Sequence, residues 1–116
     1  MSCSIMFSMT WQEVLERKEL QDLPFKMELN AYGKLELSPL TNHQGMLKSA
    51  IGYLLSGFLE HGGCLISCSI LTSQNVKVAD VAWASRDFLD QHLDSDPFPI
   101  APEICVEIIS TSNSTK

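Results

Sequence analysis

No stretch of the sequence approaches the roughly 20 consecutive apolar residues that a membrane-spanning helix needs, so no membrane association through such a helix is expected. Met1–Met9 has no basic start and its apolar residues are interrupted by serines, so no secretory signal is expected and the cytoplasm is the expected compartment. Positive charge is scarce. Eight Lys and Arg against 14 Asp and Glu give a formal net charge of −6, which argues against a broad electropositive surface for nucleic acid. A local site survives that argument, because a bound divalent ion adds positive charge where a phosphate would sit. Zinc-binding spacing is also lacking. Cys64 and Cys68 fall in one expected strand, where four positions span roughly 13 Å, too far to clamp one ion. Cys3, Cys64, Cys68 and Cys105 therefore read as small buried apolar side chains. Internal repeats and low-complexity segments are absent, and 116 residues suffice for one domain with a modest core.

What the sequence does have is two short apolar runs, each carrying one carboxylate in its middle: Val76–Trp83 (VKVADVAW) with Asp80, and Glu103–Ser110 (EICVEIIS) with Glu107. Their density of Val, Ile, Trp and Cys, with no internal Pro, reads as strands buried on both faces. An unpaired carboxylate taken out of water costs several kcal/mol or more, so it must be protonated, paired with a cation or bound to a metal. Lys77 does not supply the partner, since three positions along a strand place it on the face opposite Asp80. Two readings stand open. Either each acid is an ordinary solvent-facing or backbone-bonded residue at a strand end, or the two strands are neighbours and Asp80 and Glu107 hold a divalent cation between them.

Thr10-Trp11-Gln12-Glu13 has the form of a capping box, followed by a short helix to about Leu20 with Trp11, Val14 and Leu15 on its apolar side. Phe25–Ala31 alternates strictly, with Phe25, Met27, Leu29 and Ala31 on one face and Lys26, Glu28 and Asn30 on the other. With Tyr32-Gly33 as a turn into Lys34–Ser38, this is a hairpin, and on alternation alone Glu28 faces solvent. From His43 to His61, Leu47, Ala50, Ile51, Leu54, Leu55, Phe58 and Leu59 keep helical spacing, which predicts a long amphipathic helix lying along a sheet. Asn42 is expected to cap it and Gly62-Gly63 to end it. His43, in its first turn, is either a surface residue or a group able to approach a phosphate or carboxylate. Cys64–Thr72 reads as a strand turning through Ser73-Gln74-Asn75 into the Asp80 strand, and Ser85 caps a short helix, Arg86–Leu93. A loop rich in Asp and Pro, Asp94–Pro102, leads into the Glu107 strand.

Four of these segments, Pro24–Ser38 (PFKMELNAYGKLELS), Pro39–His43 (PLTNH), Val78–Ser85 (VADVAWAS) and Pro102–Asn113 (PEICVEIISTSN), resemble in content and order the Uma-two family of bacterial endonuclease-like domains. That family belongs to the PD-(D/E)XK restriction-endonuclease-like superfamily, and the resemblance runs from about Trp11 to the last residue. It implies an α/β (α+β) fold: a restriction-endonuclease-like mixed β-sheet flanked by helices, with the long helix at 43–61. It makes Asp80 the acid of the "PD" motif, although Ala79 precedes it here, and Glu107 the second metal-binding acid. Glu28 becomes the glutamate that completes the site, against its reading from alternation, and His43 the histidine that opens the long helix. The implied ions are Mg²⁺ or Mn²⁺, the implied partner is nucleic acid, foremost DNA, and the implied reaction is phosphodiester hydrolysis.

The chain departs from this pattern at two places. Two positions after the glutamate, where the superfamily carries a lysine, stands Ile109; family members commonly lack that lysine, and one from the following helix can substitute. The family also continues past the Glu107 strand, so the single domain of residues 1–116 is expected to lack a C-terminal helix and strands, with Lys116 too poorly held at the terminus to serve. A second reading follows: a truncated, catalytically inactive member acting as a metal-binding or protein-interaction domain, its Glu107 strand left as an open edge that could pair in a homodimer.

Overall fold

The computed structural model describes residues 3–4 and 8–109, and its longest ladder joins β4 (Gly62–Thr72) to β5 (Asn75–Ser85). Asn75, at φ 72°, closes the turn between them, a conformation that Asn tolerates better than most residues. The pairing is in register along the whole hairpin except opposite Asp80, where Ser67 takes φ 59° and the ladder is interrupted. On its other side β5 receives, among the described residues, only β6 (Ile104–Val106), which pairs antiparallel with Val81–Trp83. This three-stranded sheet, in the order β4-β5-β6, is joined by a parallel bridge from Ile70 to Phe98. A second three-stranded sheet has the order β1-β3-β2, formed by β1 (Cys3–Ser4), β2 (Phe25–Leu29) and β3 (Leu35–Pro39). Among the described residues three α-helices complete the α+β fold: α1 (Trp11–Glu16), α2 (Asn42–Phe58) and α3 (Arg86–His92).

Local chemistry explains the boundaries. Thr10 and Glu13 make both bonds of the capping box, but α1 stops at Glu16 and a 3₁₀ turn, Lys18–Leu20, takes over where the sequence suggested continuous helix. The cap of α2 is Thr41, whose hydroxyl accepts from Gln44 N–H, rather than Asn42; the helix ends at Phe58, so Gly62-Gly63 opens β4 instead of closing the helix. Ser85 caps α3 as expected. β6 is shorter than the apolar run that contains it, and Glu107 lies just beyond its end. The pairing of β1 with β3 had no counterpart in the sequence reading.

Apolar burial falls into two clusters. Met9, Val14, Leu29, Leu35 and Val76 pack beneath the first sheet, and Cys68, Ile70, Ala79, Ala82, Ala84, Phe88 and Phe98 beneath the second. The helix α2 lies against β4 and β5, but its apolar arc is wider than the surface that receives it. Leu47, Ile51, Leu55 and Leu59 are half-buried, whereas Ala50 and Leu54 face outward and Phe58 is 81% exposed. The one buried residue of α2 is a lysine, Lys48. Among the described residues no helix is long and apolar enough to cross a membrane.

The cysteines divide by environment. Cys68 is buried as expected, Cys64 is half-buried, Cys105 is exposed, and Cys3 lies where no side chain is described. The thiol of Cys68 is pushed up to about 11 by burial, with further contributions from negative charge at Cys105 and Asp96. An unfolded thiol ionises near 9.0, so between these values the native state holds the extra proton. Native stability should therefore fall as pH rises from about 9 through about 11. Cys105, shifted upward by burial, acts in the same direction. Denaturant midpoints measured across that range should show a flatter decline for Cys68→Ala than for the parent; an unchanged slope would clear Cys68 of responsibility.

Candidate active site

Because β6 reaches only Val81–Trp83, the edge of β5 below it has backbone groups that β6 does not pair. Side chains from the first sheet fill that gap. Glu28 on β2 accepts a hydrogen bond from the Val78 N–H through Oε2 at 2.6 Å, which couples the two sheets. Asp80 does the reciprocal service for the segment after β6, accepting from Ile108 N–H through Oδ2 at 2.7 Å. The polar face of β2, which alternation assigned to solvent, is thus the face turned toward β5. The other face carries Leu29 and Met27 into the core around Val76.

Three carboxylates converge here on one ammonium. The Lys26 Nζ lies 3.1 Å from Glu107 Oε1, 3.4 Å from Asp80 Oδ1 and 3.9 Å from Glu28 Oε2. A second ammonium approaches from the helix: Lys48 Nζ lies 3.9 Å from Asp80 Oδ1. Asp80 and Lys48 are 6% and 8% exposed, so this pair is screened from water, whereas Glu107 has a half-exposed side chain. Burial alone would push Lys26 down, but Glu28, Glu107 and Asp80 together hold its ammonium above the usual lysine range. Burial raises Glu107, against the opposing influence of Lys26.

Three of the residues singled out from the sequence, Glu28, Asp80 and Glu107, therefore come together. His43 does not join them through any hydrogen bond or ion pair among the described residues, and it stands exposed in the first turn of α2. Lys116 lies outside the described residues. Both lysines escaped the sequence reading. For Lys48 there was a signal: a lysine set among Leu47, Ile51 and Leu55 interrupts an apolar stripe, and such a residue is rarely buried without a partner. Lys26 gave no comparable signal, since a lysine on the polar face of an alternating strand is ordinarily solvated.

The donor set is entirely carboxylate oxygen, the hard kind that suits Mg²⁺ or Mn²⁺. Its spacing is another matter. Among the described residues no three His, Cys, Asp or Glu side chains stand close enough to grip an ion, because the acids are spread around Lys26 at ammonium distances. The chemistry of the group thus fits such an ion, and the occupant of its centre is a lysine.

Two small sheets flanked by helices, with acids from β2, β5 and the segment after β6 meeting where the sheets abut, define a restriction-endonuclease-like α+β domain. The comparison with known families is more specific. The model of the Uma2 family, described as "Putative restriction endonuclease", matches residues 11–116, and the chain belongs to that family. No curated protein and no solved structure matches it.

Proposed function

We propose that this protein is a metal-dependent endonuclease that hydrolyses phosphodiester bonds of nucleic acid, DNA foremost, in the bacterial cytoplasm. The observation that carries the reading is the convergence of Glu28, Asp80 and Glu107, from three separate segments, on one cation position. Family membership supports the general class of reaction. Mg²⁺ or Mn²⁺ would be held by Asp80 and Glu107 with Glu28 beside them, and when bound would lower the pKa of an attacking water and neutralise the scissile phosphate.

The chain's own residues have separable tasks. The Ile108 N–H holds Asp80 by one oxygen, which leaves the other directed to the cation position, whereas Glu28 meets both the Val78 N–H and the cation position through its Oε2. Ile109 offers no charge, so the ammonium that would face a phosphate comes from Lys48, fixed on α2 and already beside Asp80. His43, exposed in the first turn of α2 and bonded to none of the described acids, would be free to meet the substrate.

The test is nicking of supercoiled plasmid with Mn²⁺, Mg²⁺ or EDTA, comparing the parent with Glu107→Gln. That substitution keeps the shape of a half-exposed side chain and spares the buried Asp80–Lys48 pair, so the variant should fold. Metal-dependent nicking lowered at least 100-fold by Glu107→Gln is the expected result, on the scale typical for removal of a group that stabilises developing charge. A folded parent that binds Mn²⁺ but does not nick would favour the inactive, metal-binding reading.

A further inference from the structure

We propose that Lys26 is a built-in cation of the acid cluster, occupying the position a divalent ion would take, so that ion entry requires its ammonium to withdraw. This rests on the metal-site reading and specifies how that site is regulated.

Geometry is the first support. One nitrogen lies within 3.9 Å of all three carboxylates, and Lys26 and Glu28, two positions apart on β2, share the strand face that meets β5. The aliphatic stem of Lys26 is enclosed, with a side chain only 13% exposed, so the ammonium is directed inward rather than resting on the surface. Lys48 cannot replace it, since among the described carboxylates it reaches Asp80 alone.

Charge is the second. Three carboxylates with two ammoniums leave one negative charge in excess. With Lys26 withdrawn and a divalent ion in its place, the ion and Lys48 together neutralise the three acids. With Lys26 retained beside the ion, the centre would be overcharged, and the short distances make that repulsion substantial. The third support is spacing: the acids cannot close on an ion while they surround an ammonium, since Mg²⁺ and Mn²⁺ need oxygens at about 2.0–2.2 Å. The lysine thereby keeps the apo site assembled and sets a threshold for ion binding.

The consequence is unusual for a residue in an active site: removing its charge should strengthen ion binding. Lys26→Met keeps the length and apolar stem of the side chain and deletes the ammonium, while Lys26→Arg keeps the charge. Mn²⁺ affinity read from the paramagnetic resonance of free Mn²⁺, with thermal melts in EDTA and in Mn²⁺, distinguishes the outcomes. Lys26→Met should bind Mn²⁺ at least tenfold more tightly than the parent, melt lower in EDTA and gain more from Mn²⁺; Lys26→Arg should bind within about threefold of the parent. Should Lys26→Met fold only when Mn²⁺ is present, that also supports the proposal, because the ion then supplies what the lysine did. Binding by Lys26→Met that equals or falls below that of a binding parent overturns the proposal and leaves the metal site standing. Failure of both proteins to bind Mn²⁺ overturns the metal-site reading and this proposal with it.

Discussion

Replacing Asp80 by alanine should cost about 3–5 kcal/mol of folding stability, the range seen when one partner of a buried ion pair is removed. Lys48 would be stranded, because its ammonium, enclosed on α2, has Asp80 as its only carboxylate within 4 Å among the described residues. The Ile108 N–H would lose its acceptor in the same step, and Lys26 would lose one of three. Set against the roughly 5–15 kcal/mol that holds a typical domain folded, such a loss is large enough to populate the unfolded state. Adding Lys48→Met should therefore rescue the single variant, since it removes the stranded charge and leaves an apolar side chain among Leu47, Ile51 and Leu55. Urea midpoints at constant m-value measure both effects. A loss below about 1 kcal/mol for Asp80→Ala, or no recovery in the double variant, would mean that Lys48 finds solvent and that the pair is not a buried one. This cost is also why the activity test uses Glu107→Gln: nicking lost in an unfolded protein says nothing about its site.

Gly62→Ala should cost about 2–3 kcal/mol, toward the upper part of the range for overpacking. The new Cβ would run into the backbone carbonyl of Ala84 and the indole of Trp83, neither of which can swing away as the end of a flexible side chain could. Both belong to β5, so the strain falls where the long hairpin meets the cap of α3 at Ser85. Gly45 provides the contrast. It lies in α2 with nothing within 4 Å of an added Cβ, and Gly45→Ala should stabilise by about 0.5–1 kcal/mol through the backbone entropy that glycine loses in a helix. Thermal melts of the two variants should move in opposite directions. Equal and small shifts would show that the strands separate easily at Gly62.

How much of this was legible in the chain depends on the range over which each cause acts. The capping box at Thr10 and the cap at Ser85 were readable because donor and acceptor lie within one helical turn. The hairpin from Cys64 to Ser85 was readable because β-branched runs and a turn at Asn75 specify it locally. The Val76–Trp83 run is buried as expected, and the cost of burying Asp80 correctly demanded a cation; the Glu107 run is not, since its described residues alternate between exposed and half-buried at the edge of the sheet and Glu107 stays half-exposed. The identity of that cation was not readable. Lys26 and Glu107 are 81 positions apart, and no local pattern records that the polar face of β2 will turn toward β5 instead of water. Glu28 was misread by alternation for the same reason, and recovered only through the family resemblance.

The sequence by itself therefore determined the kinds of element, most of their caps, the family and the need to neutralise Asp80. Periodicity, turn chemistry and desolvation are properties of short stretches, and they act before any distant contact exists. Only the tertiary structure decided which faces are interior, which lysines answer the acids and how far apart the three carboxylates stand. Those facts depend on two sheets meeting where β6 leaves the edge of β5 uncovered, which makes Glu28 bond across to Val78 and lets β2 and α2 each deliver an ammonium to the same acids.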